Sequence, residues 1–392
     1  MAFLAQLTEI CALRRDTSTQ SLAAMRMVRL TLQYGACNVT GLTFALFAVF
    51  LARRNSLKDA HRYGCISQMI AKQESIYGGE AVSHFFWSVN HWRRPYRSSL
   101  QPMLKVTKAA IASGDLEHVA FRVGIYMANV LVSGVPLLSL KALINDFHGL
   151  VKDFPIRDKW FVKIPYNIVL HLVGQKEVTL KGSEVSGNTR AKQYLFQSNM
   201  ITAFILNDFE TAEEMRQKLE PLKSDGVWIP YRSFIEFFIF LELAKGETSK
   251  ERKQLIEKAK KIHEQIARWA KNGVVDCRHM LKFTEAEMIL ANTDTKPSVR
   301  KVKTLYNGAI AAATRDGFLH HQAYANERAG QYFLSLMEDD YAVVYLTQAR
   351  NLYRRWGALA KVRLLEEEYG ELLNEEPQQN ILPKPVNMQS VM

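Results

Sequence analysis

A short segment around Cys277 contains the residue types of a nucleophilic site. Asp276, Cys277 and His279 are near neighbours in the sequence, and a cysteine thiolate beside a histidine base could attack an electrophilic carbon. Residues this close together on a helix point in different directions, so the thiol and the imidazole are not expected to meet. We therefore assign no cysteine nucleophile to this segment.

Four histidines stand in positions that deserve testing as metal ligands. His84 and His91 are seven residues apart in an aromatic segment, so they could lie on one helix face as a metal-binding pair. No carboxylate or thiol stands at a matching spacing, and both are interpreted as core or surface histidines. His320 and His321 are expected to line a turn or a helix start. The sequence accordingly assigns no metal ligand.

The best basic and aromatic patch in the chain is the segment HWRRPYR at residues 91–97. Arginines can pair with phosphates while aromatic rings stack on bases, as in proteins that bind single-stranded nucleic acid. Loop packing beneath exposed arginines explains the same residues equally well. A basic solenoid that binds nucleic acid is therefore kept as an alternative function.

Phosphate-binding and catalytic motifs are missing from the sequence. The P-loop has no match, since the nearest approach, residues 246–250, lacks the second glycine and the Lys-Ser/Thr pair. The G-x-G-x-x-G, G-x-S-x-G and H-E-x-x-H patterns are absent as well. We expect no enzyme, no cofactor and no small-molecule substrate, and we assign no catalytic residue. An enzyme with an unrecognised site is the further alternative.

The composition is that of a folded protein with a basic surface. Hydrophobic residues make up 48% and charged residues 23% of the chain, and 51 Lys plus Arg against 39 Asp plus Glu give a net charge of +12. Four widely spaced cysteines favour free thiols in a reducing compartment. The most apolar run, residues 41–52, is shorter than the roughly 20 residues of a membrane-spanning helix. We expect a cytoplasmic protein that does not enter a membrane.

Apolar residues recur at helical spacing almost throughout, which predicts an all-α fold. The clearest helix covers residues 298–315 and should end at Gly317. Residues 231–243 are apolar on nearly all sides and predict a helix buried between neighbours. Residues 250–261 alternate in charge around a few apolar positions and predict a solvated amphipathic helix.

A pair of helices near the C-terminus has the residue spacing of tetratricopeptide repeats. Gly330 and Phe333 fall on the first helix, and Ala342, Leu346 and Ala349 on the second. The turns at residues 113–120 and 206–212 look related, because each places an acidic turn before an alanine-bearing helix. We predict a degenerate tetratricopeptide-like α-solenoid of antiparallel helix pairs, with a non-repetitive α-bundle as the alternative.

The predicted solenoid covers residues 21–373. Residues 1–20 are expected to form an N-terminal extension or partial helix, and residues 374–392 a disordered tail. A loop insertion is predicted near residues 173–190, which are rich in Gly, Ser and Thr. The apolar, β-branched stretch at residues 160–172 is expected to belong to the same interruption.

Several stretches resemble the helical-repeat region of the "predicted ATPase" multi-sensor signalling kinases, in which AAA-type ATPase, GAF and histidine-kinase modules accompany the repeats. The resemblance is carried by residues 324–334 (YANERAGQYFL) and 341–362 (YAVVYLTQARNLYRRWGALAKV), and it continues upstream through residues 262–270, 272–280, 29–35 and 59–64. It covers about residues 21–373 and transfers no catalytic residue.

The resemblance implies a non-catalytic scaffold or coupling segment for protein–protein interaction in signal transduction. Its partner would be another protein or covalently linked ATPase and kinase modules. A solenoid would present an extended concave surface to that partner. On this hypothesis, changes of basic residues such as Arg328→Glu are expected to weaken the contact.

Overall fold

The computed structural model describes residues 1–14, 16–71, 76–141, 145, 147, 149, 160–175, 188–222, 228–291 and 297–373. These residues are overwhelmingly helical and contain no strand, which confirms the all-α prediction for the described part of the chain. The helices are α1 (Ala2–Arg14), α2 (Thr17–Tyr34), α3 (Thr40–Arg53), α4 (Leu57–Ile70), α5 (Ile76–Ser88), α6 (Leu100–Ala112), α7 (Leu116–Ser133), α8 (Trp160–Leu172), α9 (Thr189–Ile205), α10 (Phe209–Leu219), α11 (Trp228–Leu243), α12 (Ser249–Lys271), α13 (Cys277–Ala291), α14 (Val299–Asp316), α15 (Leu319–Leu334), α16 (Asp339–Trp356) and α17 (Leu359–Leu373).

Most helices pack against the next helix along the chain. Alternate helices also touch at two places along the chain, because α5 contacts both α3 and α7, and α11 contacts both α9 and α13. No described helix combines the length and apolar character needed to cross a membrane.

The helices that the sequence predicts most clearly are present. Helix α14 begins after Ser298, whose side chain accepts a hydrogen bond from the Lys301 backbone N–H, and it ends at Gly317 in the left-handed conformation (φ 80°). Helix α11 is buried on nearly all sides, with Phe234, Phe237 and Phe238 fully inaccessible. The prediction of a helix buried between neighbours is thus confirmed.

The stretch at residues 160–172 is helix α8, so its assignment to a loop interruption is wrong. Ten of its thirteen residues are buried, including Val162, Ile168 and Val169. Burial on several faces explains the apolar, β-branched composition that suggested an irregular segment. Most of the predicted loop, residues 176–187, and the predicted tail, residues 374–392, lie outside the described residues.

The first twenty residues form a complete helix and the start of another. Helix α1 packs on α2 and buries Ala5, Thr8 and Cys11. Asp16 begins α2, because its carboxylate accepts the backbone N–H of Thr19 at 3.0 Å. The helical array therefore starts at Ala2 rather than near residue 21.

The pair formed by α15 and α16 confirms the small-residue spacing read from the sequence. A Cβ atom on Gly330 would lie 2.6 Å from Leu346 Cγ and 3.3 Å from the Leu346 backbone nitrogen. Ala342, Leu346 and Ala349 are fully buried. The glycine is therefore required by the close approach of the two helices.

Gly330→Ala is expected to lower the free energy of unfolding by about 1–3 kcal/mol, because Leu346 and α16 must move to admit the methyl group. Urea unfolding followed by circular dichroism measures the change. Gly308, in the middle of α14, is the matched control, since a Cβ there meets nothing within 4 Å. Gly308→Ala should stabilise by about 0.5–1 kcal/mol through helix propensity. Similar effects of the two substitutions would contradict the packing argument.

Candidate functional site

Residues 90–99, which we call the junction segment, lie in the first half of the chain and contact residues of the second half. The segment consists of two short 3-10 turns, Asn90–Trp92 and Tyr96–Ser99. Arg93 Nη1 donates to the Asn272 carbonyl at 2.8 Å, and the Tyr96 backbone N–H donates to Asp276 Oδ2 at 2.8 Å. These contacts join residues that are about 180 positions apart, so they hold the two halves together.

A second set of contacts continues the junction. Arg97 donates to the carbonyls of Ser133 and Gly317. Trp356 Nε1 donates to the Val135 carbonyl at 3.1 Å, and α17 packs against α8. These contacts also join residues that are far apart in the sequence.

The aromatic residues of the junction segment are buried. His91, Trp92 and Tyr96 are 0%, 6% and 1% exposed, and the Trp92 ring packs on Trp269 with 5.6 Å between centroids. Buried rings are not available to stack on nucleic-acid bases. The structure thus supports the packing interpretation of residues 91–97 over the nucleic-acid interpretation.

His279, His320 and His321, which we call the histidine cluster, pack together beneath the junction segment. The rings of His320 and His321 are 4.1 Å apart, and those of His279 and His321 are 4.9 Å apart. His279 Nε2 and His321 Nδ1 share a hydrogen bond of 2.7 Å. Phe318 stacks on His279 and Trp356 on His320. The residues predicted to line a helix start do so at the beginning of α15, but deep in the core.

The histidine cluster is uncharged at neutral pH. Burial lowers the pKa of His279 and His320 to about 3 and holds that of His321 well below its usual value. Both nitrogens of His320 and Nε2 of His321 are buried without a hydrogen-bond partner. Their ligand atoms do not converge as a set of three among the described residues. The cluster is thus a buried element that resists protonation.

The segment around Cys277 does not form a nucleophile and base. Cys277 is fully buried, and burial raises the pKa of its thiol well above the usual range. His279 Nε2 is engaged with His321 instead. Burial also raises the pKa of Asp276 to about 7, although this carboxyl accepts the Tyr96 N–H. These residues hold the junction segment in place.

Arg328, which the sequence suggested as a partner-binding residue, lies in a buried ion network. Its guanidinium donates to both oxygens of Glu287, at 2.9 and 2.7 Å, and also to Glu242. Tyr306 donates to the same Glu287 carboxylate at 2.8 Å. The expectation that Arg328→Glu would test a surface contact is therefore wrong, because the change places a third carboxylate between two others.

The neighbouring residue on α15, Glu327, is the centre of a second buried network. Its carboxylate accepts hydrogen bonds from Lys361 Nζ at 2.7 Å, Asn207 Nδ2 at 2.7 Å and the Tyr353 hydroxyl at 2.8 Å. The side chains of Glu327 and Lys361 are 0% and 1% exposed. The two networks join α15 to helices on several sides and serve the fold rather than a surface.

Helix α2 carries a row of exposed apolar and basic residues. One side of α2 buries Ala23, Ala24 and Met27 against its neighbours. The opposite side, which we call the α2 face, is open to solvent. It consists of Leu22, Met25, Arg26, Arg29, Leu32 and Gln33.

The α2 face has the spacing of a helix-binding stripe. Its positions follow the pattern i, i+3, i+4, i+7, i+10 and i+11, which places them on one side of a helix. Leu22 is 64% and Leu32 78% exposed. A groove of about 590 Å³ runs between α2 and Phe47 of α3, lined also by Val28 and Arg29. Sequence reasoning missed this face, although the apolar residues on two sides of residues 17–34 were the available signal.

Most of the large apolar residues that are exposed in the described part of the chain lie early in the sequence. Of the thirteen large hydrophobic residues that are exposed in the described part of the chain, eight precede residue 71. They are Phe3, Ile10, Leu22, Met25, Leu32, Tyr34, Met69 and Ile70. Single exposed apolar residues are ordinary, whereas exposed apolar residues that adjoin one another are typical of interaction surfaces.

Comparison with known proteins adds no relative. No family model, no curated protein and no solved structure matches the chain. The resemblance to the multi-sensor signalling kinases therefore stays a prediction, and function has to be argued from the geometry.

Proposed function

We propose that the chain is a non-catalytic helical scaffold, of the degenerate tetratricopeptide-like solenoid type, that binds a partner protein through the α2 face. The observation that carries this proposal is the solvent-exposed apolar stripe on α2, a helix whose other side is already packed. The proposed binding surface differs from the free concave surface of an open solenoid, because contacts of the junction segment and of α8 link distant parts of this chain.

The exposure of the α2 face is unfavourable unless something covers it. The solvent-facing side of a packed helix is normally polar. Helix α2 instead exposes Leu22 and Leu32 beside the groove at Phe47. Covering apolar surface contributes roughly 25 cal/mol per Å². An apolar helix packed along the α2 face would therefore gain binding free energy through apolar contacts of the same kind as those between the helices of the array.

The charge around the face selects the kind of helix. Residues 1–70 contain eight arginines and lysines and three carboxylates, and Arg26 and Arg29 lie within the face itself. A partner with carboxylates on both sides of its apolar stripe would pair with them and be steered to the site. The occupant is therefore an acidic amphipathic helix, bound in the helix-in-groove mode. In a signalling assembly it would come from a separate protein or from a covalently linked module.

A synthetic acidic amphipathic helix should bind the full chain with micromolar affinity. The probe is a fluorescent peptide of about 18 residues with leucines at i, i+3, i+4 and i+7, flanked by glutamates. Fluorescence anisotropy measures its binding. Leu32→Glu should weaken binding by more than about tenfold, because it places a like charge in the centre of the contact.

Two controls make this test specific. Met337→Glu changes another exposed apolar residue, 90% accessible and located between α15 and α16, and should leave the affinity unchanged. A peptide with lysines in place of the glutamates should bind more weakly. The proposal fails if a scrambled peptide of the same composition binds as well as the designed one. It fails equally if sedimentation shows that the α2 face already joins two copies of the chain and that Leu32→Glu separates them.

A further inference from the structure

A histidine and two carboxylates converge where α1, α5 and α7 meet. Glu9 lies on α1, Glu80 on α5 and His118 on α7. One ligand atom from each of the three side chains lies within 4.8 Å of the other two. His118 Nε2 is 3.1 Å from Glu80 Oε1. This is the one set of three convergent metal-ligating side chains among the residues described.

Asp115 sets the orientation of the imidazole. It is the N-cap residue of α7, yet its carboxylate makes no capping bond to the helix backbone. Instead, Asp115 Oδ1 accepts a hydrogen bond of 2.7 Å from His118 Nδ1. A carboxylate on one ring nitrogen turns the other nitrogen toward the ligand and makes it more basic, as in the histidine ligands of metalloproteins. Here that other nitrogen, Nε2, faces the two glutamates.

A buried arginine beside the group carries donors that have no partner. The side chain of Arg122 is 3% exposed, and Nη1 lies 3.2 Å from Asp115 Oδ2. Its Nη2 lies against Gly79, the residue before Glu80, so closely that a Cβ on that glycine would be 2.5 Å away. Both Nε and Nη2 are buried without an acceptor. Buried donors of this kind call for an anion or an ordered water that is part of the site.

We propose that Glu9, Glu80 and His118 bind a divalent transition-metal ion, with Zn²⁺ as the best fit, and that Asp115 is a positioning residue. One imidazole nitrogen with two carboxylate oxygens is a ligand set that suits zinc better than calcium or magnesium. Three protein ligands leave a fourth position open for water or an anion.

Distance and charge agree with this assignment. Zinc ligands at roughly 2.0–2.1 Å in a tetrahedron lie about 3.3–3.4 Å apart, close to the 3.1 Å between His118 and Glu80. Glu9 completes the set, since one of its carboxylate oxygens lies within 4.8 Å of both other ligand atoms. The ion would replace the proton between His118 Nε2 and Glu80. With that proton released, the three carboxylates of Glu9, Glu80 and Asp115 balance the charges of Arg122 and of a divalent ion. The ion would tie α1, at the start of the array, to α5 and α7.

Zinc titration of the full chain tests the proposal. The Cys65→Ser background is used, because Cys65 Sγ lies 3.6 Å from His61 Nδ1 and this pair could bind zinc on its own. We expect one Zn²⁺ per chain with micromolar or tighter affinity by calorimetry. Zinc should also slow hydrogen exchange of the α1 backbone amides, which a surface-bound ion would not do.

Three substitutions separate the roles of the residues. Glu9→Gln and His118→Gln should each abolish stoichiometric binding, and Glu9 is exposed enough that its change leaves the fold intact. Asp115→Asn keeps all three ligands and should weaken binding by about 10–100-fold. His61→Gln is the matched control and should have no effect. Failure to bind zinc, or a stoichiometric zinc that survives both Glu9→Gln and His118→Gln, would overturn the assignment. Neither result tests the proposal that the α2 face binds a partner protein.

Discussion

Acidification from pH 7.5 to pH 5 is expected to remove about 4 kcal/mol or more from the free energy of unfolding, against a typical total of roughly 5–15 kcal/mol. Burial lowers the pKa of His91, His279 and His320 to about 3, whereas it is about 6.5 in the unfolded chain. Below pH 6.5 the unfolded state therefore binds more protons. Each of the three imidazoles then costs the folded state about 2 kcal/mol at pH 5.

Other groups near the histidines modify this loss without reversing it. His321, whose pKa burial also holds well below normal, adds to it. Asp276 opposes it, because burial raises its pKa to about 7 and the folded state keeps a proton that the unfolded state releases, worth about 2 kcal/mol at pH 5. Asp316 faces His279 and favours its protonation, while Arg315 and Arg97 disfavour protonation of the cluster.

Urea unfolding followed by tryptophan fluorescence at pH 7.5, 6 and 5 measures the effect. His91→Leu is the diagnostic variant, because neither ring nitrogen of His91 has a partner to lose. We expect it to have little effect at pH 7.5 and to reduce the acid-dependent loss by about 2 kcal/mol. The same free energy of unfolding at pH 7.5 and pH 5 would contradict the argument.

Lys361→Met is expected to lower the free energy of unfolding by about 3–5 kcal/mol, because it leaves the Glu327 carboxylate buried without its cation. Asn207 and Tyr353 would still donate to that carboxylate, but neither carries a charge. The double variant Glu327→Gln with Lys361→Met removes both charges together. It should recover much of the loss, since a neutral amide keeps the hydrogen bonds without an uncompensated charge.

An exposed ion pair provides the comparison. Lys218 and Glu214 form an ion pair on α10 with side chains 44% and 59% accessible. Lys218→Met should cost less than about 1 kcal/mol, because water screens the remaining charge. Urea unfolding of the unchanged protein, Lys361→Met, Glu327→Gln and the double variant completes a double-mutant cycle for the buried pair. If Lys361→Met costs no more than Lys218→Met, the buried network does not stabilise the fold in the way described.

The sequence predicted the elements whose signals are local. The stripe at residues 298–315, Ser298 before it and Gly317 after it lie within one helix and its caps, and α14 appears with those ends. The close approach at Gly330 was also readable, because a small residue opposite Leu346 is a pattern within two consecutive helices. Residues 160–172 were wrongly assigned to an interruption, because a short apolar, β-branched segment does not by itself distinguish a buried helix from other buried structure.

The candidate sites were largely hidden because they depend on contacts across long stretches of chain. Residues 91–97 have the composition of an exposed basic and aromatic patch. Hydrogen bonds to Asp276 and Asn272, about 180 residues away, instead hold the segment against the core. The sequence suggested that Arg328 is a surface cation. The structure shows that it is buried and that its guanidinium pairs with Glu242 and Glu287.

The sequence by itself determined that the described chain is helical and where its clearest helices, such as α14, begin and end, because periodicity, caps and turn residues act over a few positions. Only the tertiary structure decided which apolar stripes are covered and which polar groups meet. Helix α2 has apolar residues on two sides, and its packing alone leaves Leu22 and Leu32 in solvent. The convergence of Glu9, Glu80 and His118 depends on the packing of three helices. A local sequence pattern does not predict which distant helices meet.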